Sequence, residues 1–244
     1  DANFLYVIPT ITVNYNAALT SSSAGVISER VKTAINNFET TELSVFDKKF
    51  RESTFVRKIT EADVSIVSTL TTYKMMKRFT PNQGTATTYN FAFNNAVHHP
   101  HAGHLGAINS TSFTFQNQES FIDDDGNGNI RIYYLGDNNI RQYLSNSAGT
   151  VNYATGLITL DNVNITSSSD IEISVKPDIN DLESVRNNII LISGTSISVV
   201  NDETGAVESR DLSATTAGST TSVSTSFTGT TQTGTTSGVS GTYY

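Results

Sequence analysis

Between Phe46 and Phe79 the apolar residues change their period, and that change limits what the chain can build. Phe55, Ile59, Ala62 and Ile66 fall at helical spacing, which puts them on one face of a short amphipathic helix. Lys48, Lys49, Arg51, Arg57 and Lys58 are interleaved with them and can stay solvated. From Ser68 the character shifts, and Leu70 to Phe79 is rich in Thr, Tyr and Met, which reads as a strand. Thr80-Pro81 stops it, because proline has no N–H for a ladder and pushes its predecessor to extended geometry.

The same stretch concentrates charge. It holds eight of the fifteen Lys and Arg residues (Lys48, Lys49, Arg51, Arg57, Lys58, Lys74, Lys77 and Arg78) against four acids. On a chain of net charge −8, a basic segment favours contact with an acidic surface, another copy of the chain included. A solvated helix face with no partner accounts for such a run equally well. These eight residues are the candidate protein interface.

With 244 residues the chain has room for one large or two small domains. Only 16% of residues are charged, below the ~25% usual in soluble domains, and Thr, Ser, Asn and Gly take their place. That balance points to strands and turns. There is no cysteine, hence no disulfide and no thiol chemistry. No apolar run approaches the ~20 residues needed to cross a bilayer, so no membrane partner is expected. A pI near 4.9 argues against nonspecific nucleic-acid binding. The opening, which enters the strand-like FLYVIPTITVNY at once, suggests a piece of a longer polypeptide.

In chain order, Phe4 to Tyr15 reads as extended and bent at Pro9. Val26 or Ile27, then Val31, Ile35 and Phe38, form a helical stripe behind N-cap serines. From Gly84 to about Ile165 short alternating runs are broken by turn residues: Tyr89, Phe91 and Phe93; Phe113 and Phe115; Ile130, Ile132 and Tyr134 opposite Arg131 and Tyr133. Ala154-Thr155-Gly156 marks a hairpin. Ile171 to Val175 is a further strand, while Leu182 to Ile192 fits helix or strand. Beyond Gly205, Ser, Thr and Gly dominate, a composition that cannot offset its own ordering entropy and reads as a flexible tail. The fold class expected is α+β: N-terminal helices with a mixed sheet, a β-rich middle of hairpins, and an irregular C-terminal tail. The expected divisions are an assembly region at 1–82, hairpins at 83–168, a returning strand and closing segment at 169–204, and the tail at 205–244.

Two constellations invite a metal. Asp123-Asp124-Asp125-Gly126-Asn127-Gly128-Asn129 resembles the start of a calcium loop, but position twelve is Tyr134 or Gly136 rather than Glu. A Gly-rich hairpin turn is the better reading. His98, His99, His101 and His104 cluster within seven residues and are weak candidate zinc or nickel ligands. Pro100 and Gly103 favour a polar loop instead. No cofactor is expected, and no nucleophile elbow, P-loop or dinucleotide fingerprint is present, so the chain is read as a non-enzyme.

The succession VKTAINNF, FDKKFRESTFVRKITEADVSIVSTLTTYKMMKRFTP, FIDDDGNGNIRIYY, GTVNYATGLITL and SDIEISVKPDINDLESVRNNIILI resembles the C-terminal part of a baseplate wedge protein. That protein forms the inner baseplate ring of contractile-tailed phages and is distantly similar to baseplate J-like components. The resemblance spans about Ala17 to Ile192 and is most specific from Phe50 to Phe79. It implies a structural virion protein of the tail baseplate, assembled in the host cytoplasm. Its implied partners are copies of itself and neighbouring wedge and hub proteins, in a ring that relays the trigger for sheath contraction. The alternative is a β-rich fibre or adhesin-like binding module using the Asp-rich turn.

Overall fold

Apolar residues at every second position of the first strand demand a covered sheet face, and two amphipathic helices supply the cover. A computed structural model of the chain describes residues 3–101, 106–185 and 188–202, all within one unit, residues 1–206. The order begins with strand β1 (Asn3–Tyr15), helix α1 (Ala24–Phe38), strand β2 (Lys49–Phe50), helix α2 (Glu52–Thr60) and strand β3 (Ile66–Phe79). Then come β4 (Ala86–Ala92), β5 (Ile108–Ser110), β6 (Phe113–Phe115), β7 (Gln118–Asp124), β8 (Asn129–Leu135), β9 (Arg141–Asn152) and β10 (Leu157–Asn164). β11 (Ile171–Val175), β12 (Leu182–Glu183), β13 (Asn188–Ile192) and β14 (Ser196–Asn201) follow.

The first sheet runs β13-β1-β3-β11-β5, with β14 also on β1. β1 pairs antiparallel with β3 and parallel with β13 and β14, which lie end to end along its other side. Leu5, Val7, Ile11 and Val13 of β1 and Tyr73 and Met75 of β3 are buried on the face that the helices cover. α1 is capped by Ser23, whose side chain accepts the N–H of Val26, and it buries Ile27, Val31, Ile35 and Phe38. A π-helical turn, Glu39–Leu43, continues it. α2 buries Phe55 and Ile59. The rings of Phe38, Phe50, Phe55 and Tyr73 meet at centroid distances of 5.1–6.0 Å, four of the five contacts edge-on or nearly so.

Pro9 does not bend β1; its pairing with β3 is continuous through Pro9↔Tyr73. The break lies on the opposite side. The carbonyl of Val7 accepts the N–H of Ser193, so Val7, and Pro9 two residues on, turn their backbone polar groups toward β13 and β14. Pro9 has no N–H to offer there. The parallel partner changes at that point, from Val7↔Ile192 to Thr10↔Ser196, through Gly194 at φ 62°.

The second sheet, β4-β10-β9-β8-β7-β6, is antiparallel throughout; its strands lie between β3 and β11 in the chain, which passes back through the first sheet once on the way, at β5 beside β11. Phe79, the last residue of β3, faces Ile171, the first of β11. The two sheets share one apolar core. Asp124, fully buried, also ties them: its carboxylate accepts the N–H of Ile108 at 2.9 Å and the hydroxyl of Tyr153 at 2.6 Å. Gly106 permits this, since a Cβ there would sit 1.9 Å from the Asp124 Oδ1.

These elements correct the expected fold class. The protein is mostly β: strands hold 50% of the structure and helices 18%, with two α-helices among the described residues. The N-terminal part is a sheet with two helices on one face, not a helical region beside a sheet. The stripe read through Ala62 and Ile66 also stops early. α2 ends at Thr60 because Asp63 accepts the N–H and hydroxyl of Ser65 in a tight turn, and Ile66 opens β3. Leu182 to Ile192 resolves into the short strands β12 and β13. The Ser/Thr/Gly run lies outside the described residues.

Candidate assembly interface

The basic segment is spread over β2, α2 and β3, and four of its eight cations form ion pairs with acids of the same chain. Lys49 pairs with Glu183 across the β2–β12 ladder. Arg51 reaches Asp181 at 2.7 Å, and Asp181 also accepts the N–H of Glu52 at 2.9 Å. α2 has no cap from its own N-cap residue, Arg51, so a carboxylate distant in sequence supplies one at the positive end of the helix. The Arg51 guanidinium and that N–H hold Asp181 below the usual carboxylate range. Lys49 does the same for Glu183. Arg57 pairs with Glu61 one turn on, at 3.0 Å. Arg78 is bound by Glu172 on β11, which raises its pKa, and its guanidinium lies over the Tyr6 ring.

Lys77 is buried, and desolvation lowers its pKa. Lys48, Lys58 and Lys74 form no ion pair among the described residues. Lys48 and Lys74 are exposed and Lys58 half-buried. The structure therefore gathers Lys48, Lys49 and Arg51 at the β2–β12 seam. It places Arg57 and Lys58 in the last turn of α2, and sets Lys74 and Arg78 apart on β3.

The metal candidates sit elsewhere. His99 stacks on Tyr153 at 4.3 Å, and its Nε2 donates to the carbonyl of Gly126 at 2.9 Å. His98 and His101 flank it in the same loop, and His104 lies outside the described residues. In the Asp-rich stretch each carboxylate serves the chain itself. Asp125 accepts the N–H groups of Asn127 and Asn129 and the Asn129 amide, closing the β7–β8 turn over Gly126 and Gly128 at positive φ. Burial alone would raise the Asp125 pKa; those bonds bring it below the ordinary value. Asp123, buried on the outer face of the second sheet, is held by Arg131 at 2.9 and 3.0 Å, by Arg141 at 2.6 Å and by Tyr143 at 3.2 Å. Arg131 lies over the Tyr143 ring and Arg141 over Tyr133. Among the described residues no three His, Asp or Glu side chains come together as a metal site.

Sequence reasoning counted charges but not their partners. Apart from Glu61, the acids that answer the basic segment lie on β11, in the approach to β12 and on β12 itself, and only the sheet pairing brings them near.

The segment from β1 to β3, with both helices on its sheet, decides the comparison with known proteins. Residues 3–78 match the family model of the baseplate structural protein gp6, C-terminal domain III. The match covers about a third of the chain and ends one residue before β3 does. No curated protein matches the chain. Over this gp6-like segment the resemblance read from the sequence holds: it is to a structural virion protein of the phage tail baseplate. The unit that carries it is the helix-covered half of the first sheet. β5, β11, β13, β14 and the whole second sheet lie outside the matched residues.

Proposed function

We propose that the chain is a baseplate wedge subunit that pairs with copies of itself and binds neighbouring wedge and hub proteins. In this reading the subunits form the inner ring around the tail hub and relay the trigger for sheath contraction. The match of residues 3–78 to a baseplate structural family carries the reading. Supporting it, Phe46 at 52%, Val64 at 89% and Leu70 at 66% exposure are large apolar side chains left uncovered on the same gp6-like segment. Seven of the eight basic residues belong to the contact surface, the buried Lys77 being the exception. Lys48, Lys58 and Lys74 offer charges that no acid among the described residues answers.

The test is the mass of the purified chain by light scattering across a salt series, with co-sedimentation against neighbouring wedge proteins. A dimer or larger species that loosens with salt is expected. A monomer at every salt and concentration that also binds no wedge protein would overturn the proposal. A melting temperature raised by calcium would favour the adhesin alternative.

A further inference from the structure

We infer that the outer edge of β14 is a seat for β14 of a second copy, joining two first sheets into one across a twofold axis. The inference rests on the reading that the chain self-associates and names the surface that does it.

Backbone directions along this side of the sheet follow from two hydrogen bonds. Ser193 donates to Val7 and Asp202 donates to Tyr15, so these residues face β1. Alternation then turns Ile192 outward on β13, and Ile197 and Val199 outward on β14. The two halves of the edge are treated differently. On β13 the outward N–H of Ile192 is taken by Glu39 Oε1 at 3.1 Å, from the π-helical turn after α1. On β14 the outward N–H groups of Ile197 and Val199 have no partner among the described residues. Sheet edges left open are commonly blunted by a charge, a proline or a bulge. From Asn188 to Asn201 there is no charged residue and no proline, and the Gly194 irregularity lies before β14, leaving Ser196–Asn201 regular.

The occupant follows from self-complementarity. In an antiparallel pair centred on Ser198, Ile197 of one copy faces Val199 of the other, and each such pair exchanges both of its hydrogen bonds. Ile197 and Val199 side chains, packed against the core, would continue it across the axis. Ser198, exposed, would face its own copy. Lacking charge, the strand meets no like-charge repulsion when it faces itself. A strand this short gives an interface at the small end of the range, so dissociation on dilution is expected.

Two variants test it in the full chain. Ser198→Lys or Ser198→Glu alone places like charges opposite one another at an exposed position and is expected to give monomers with an unchanged melting temperature. Mixing the two is expected to restore the dimer. Val199→Pro removes an outward N–H without touching the inward bonds of Ser198 and Val200, and it too is expected to give monomers. If the unsubstituted chain is monomeric at all concentrations, self-association itself fails. If it dimerises and the variants dimerise equally, β14 is not the seat, though self-association stands. If the variants instead lose only the binding of a neighbouring baseplate protein, the edge takes a different chain and the second-copy assignment is overturned.

Discussion

The two sheets bury different things. The first is held by apolar packing: Leu5, Val7, Ile11 and Val13 of β1 lie under α1 and α2, and four aromatic rings close the end nearest β2. The second shares that core on its inner face but carries an ionic cluster on its outer face, where Asp123 gathers two arginines and a tyrosine from β8 and β9. Apolar packing tolerates exchange of one aliphatic residue for another of similar volume, so a family pattern survives in it. A buried carboxylate tolerates no such exchange, because the half-buried arginines left behind lose their counter-charge. The recognisable segment is accordingly the one built on pattern rather than on specific polar contacts.

That contrast can be broken. Phe50→Ala should empty the aromatic cluster under the first sheet and cost about 4 kcal/mol, read as a shift of the urea midpoint. Asp123→Ala should cost about 3 kcal/mol by stranding Arg131 and Arg141. Replacing Asp123, Arg131 and Arg141 together by apolar residues should recover much of that loss; if it does not, the cluster is more than a mutual neutralisation. Asp63→Asn should cost about 2 kcal/mol, since the carboxylate holds Ser65 and pairs with Arg30. Those contacts, the Ser65 hydroxyl and N–H first, lower the Asp63 pKa from 3.8. Its contribution is therefore complete above that value and is lost as pH falls through the lower folded value. Thermal melts below about pH 4 should show an acid-dependent loss that Asp63→Asn flattens. Arg57→Gln should be the smallest change, about 0.3 kcal/mol for an exposed pair one helical turn apart.

Much of the first sheet was legible because its signals are local. The stripe Ile27, Val31, Ile35 and Phe38 is buried as its spacing requires, and Phe55 and Ile59 likewise. The hairpins around Gly126 and Gly156 were readable from their turn residues. The overall class was not. β5, β12 and β13 are short and their pairing partners are remote in sequence, so the strand content was underestimated. The end of α2 was misplaced because Ala62 and Ile66 keep helical spacing by coincidence, while Asp63 turns its side chain on Ser65. Of the candidate interface, the positions of the cations were visible. That Asp181, Glu183 and Glu172 would answer them was not, since this depends on β11 and β12 returning beside β3 and β2.

The strands at which the second sheet departs and returns have a consequence of their own. Phe79 and Ile171 are neighbours in one ladder, so the intervening stretch enters and leaves the first sheet through a gap no wider than a strand spacing. Closing a loop costs entropy that grows only as the logarithm of its length, so a short turn or a far larger insert could occupy the same gap at similar cost. The β3–β11 junction is thus a point at which the second sheet could be shortened or enlarged, provided the insert still supplies β5, which pairs with β11, and the apolar face that completes the shared core.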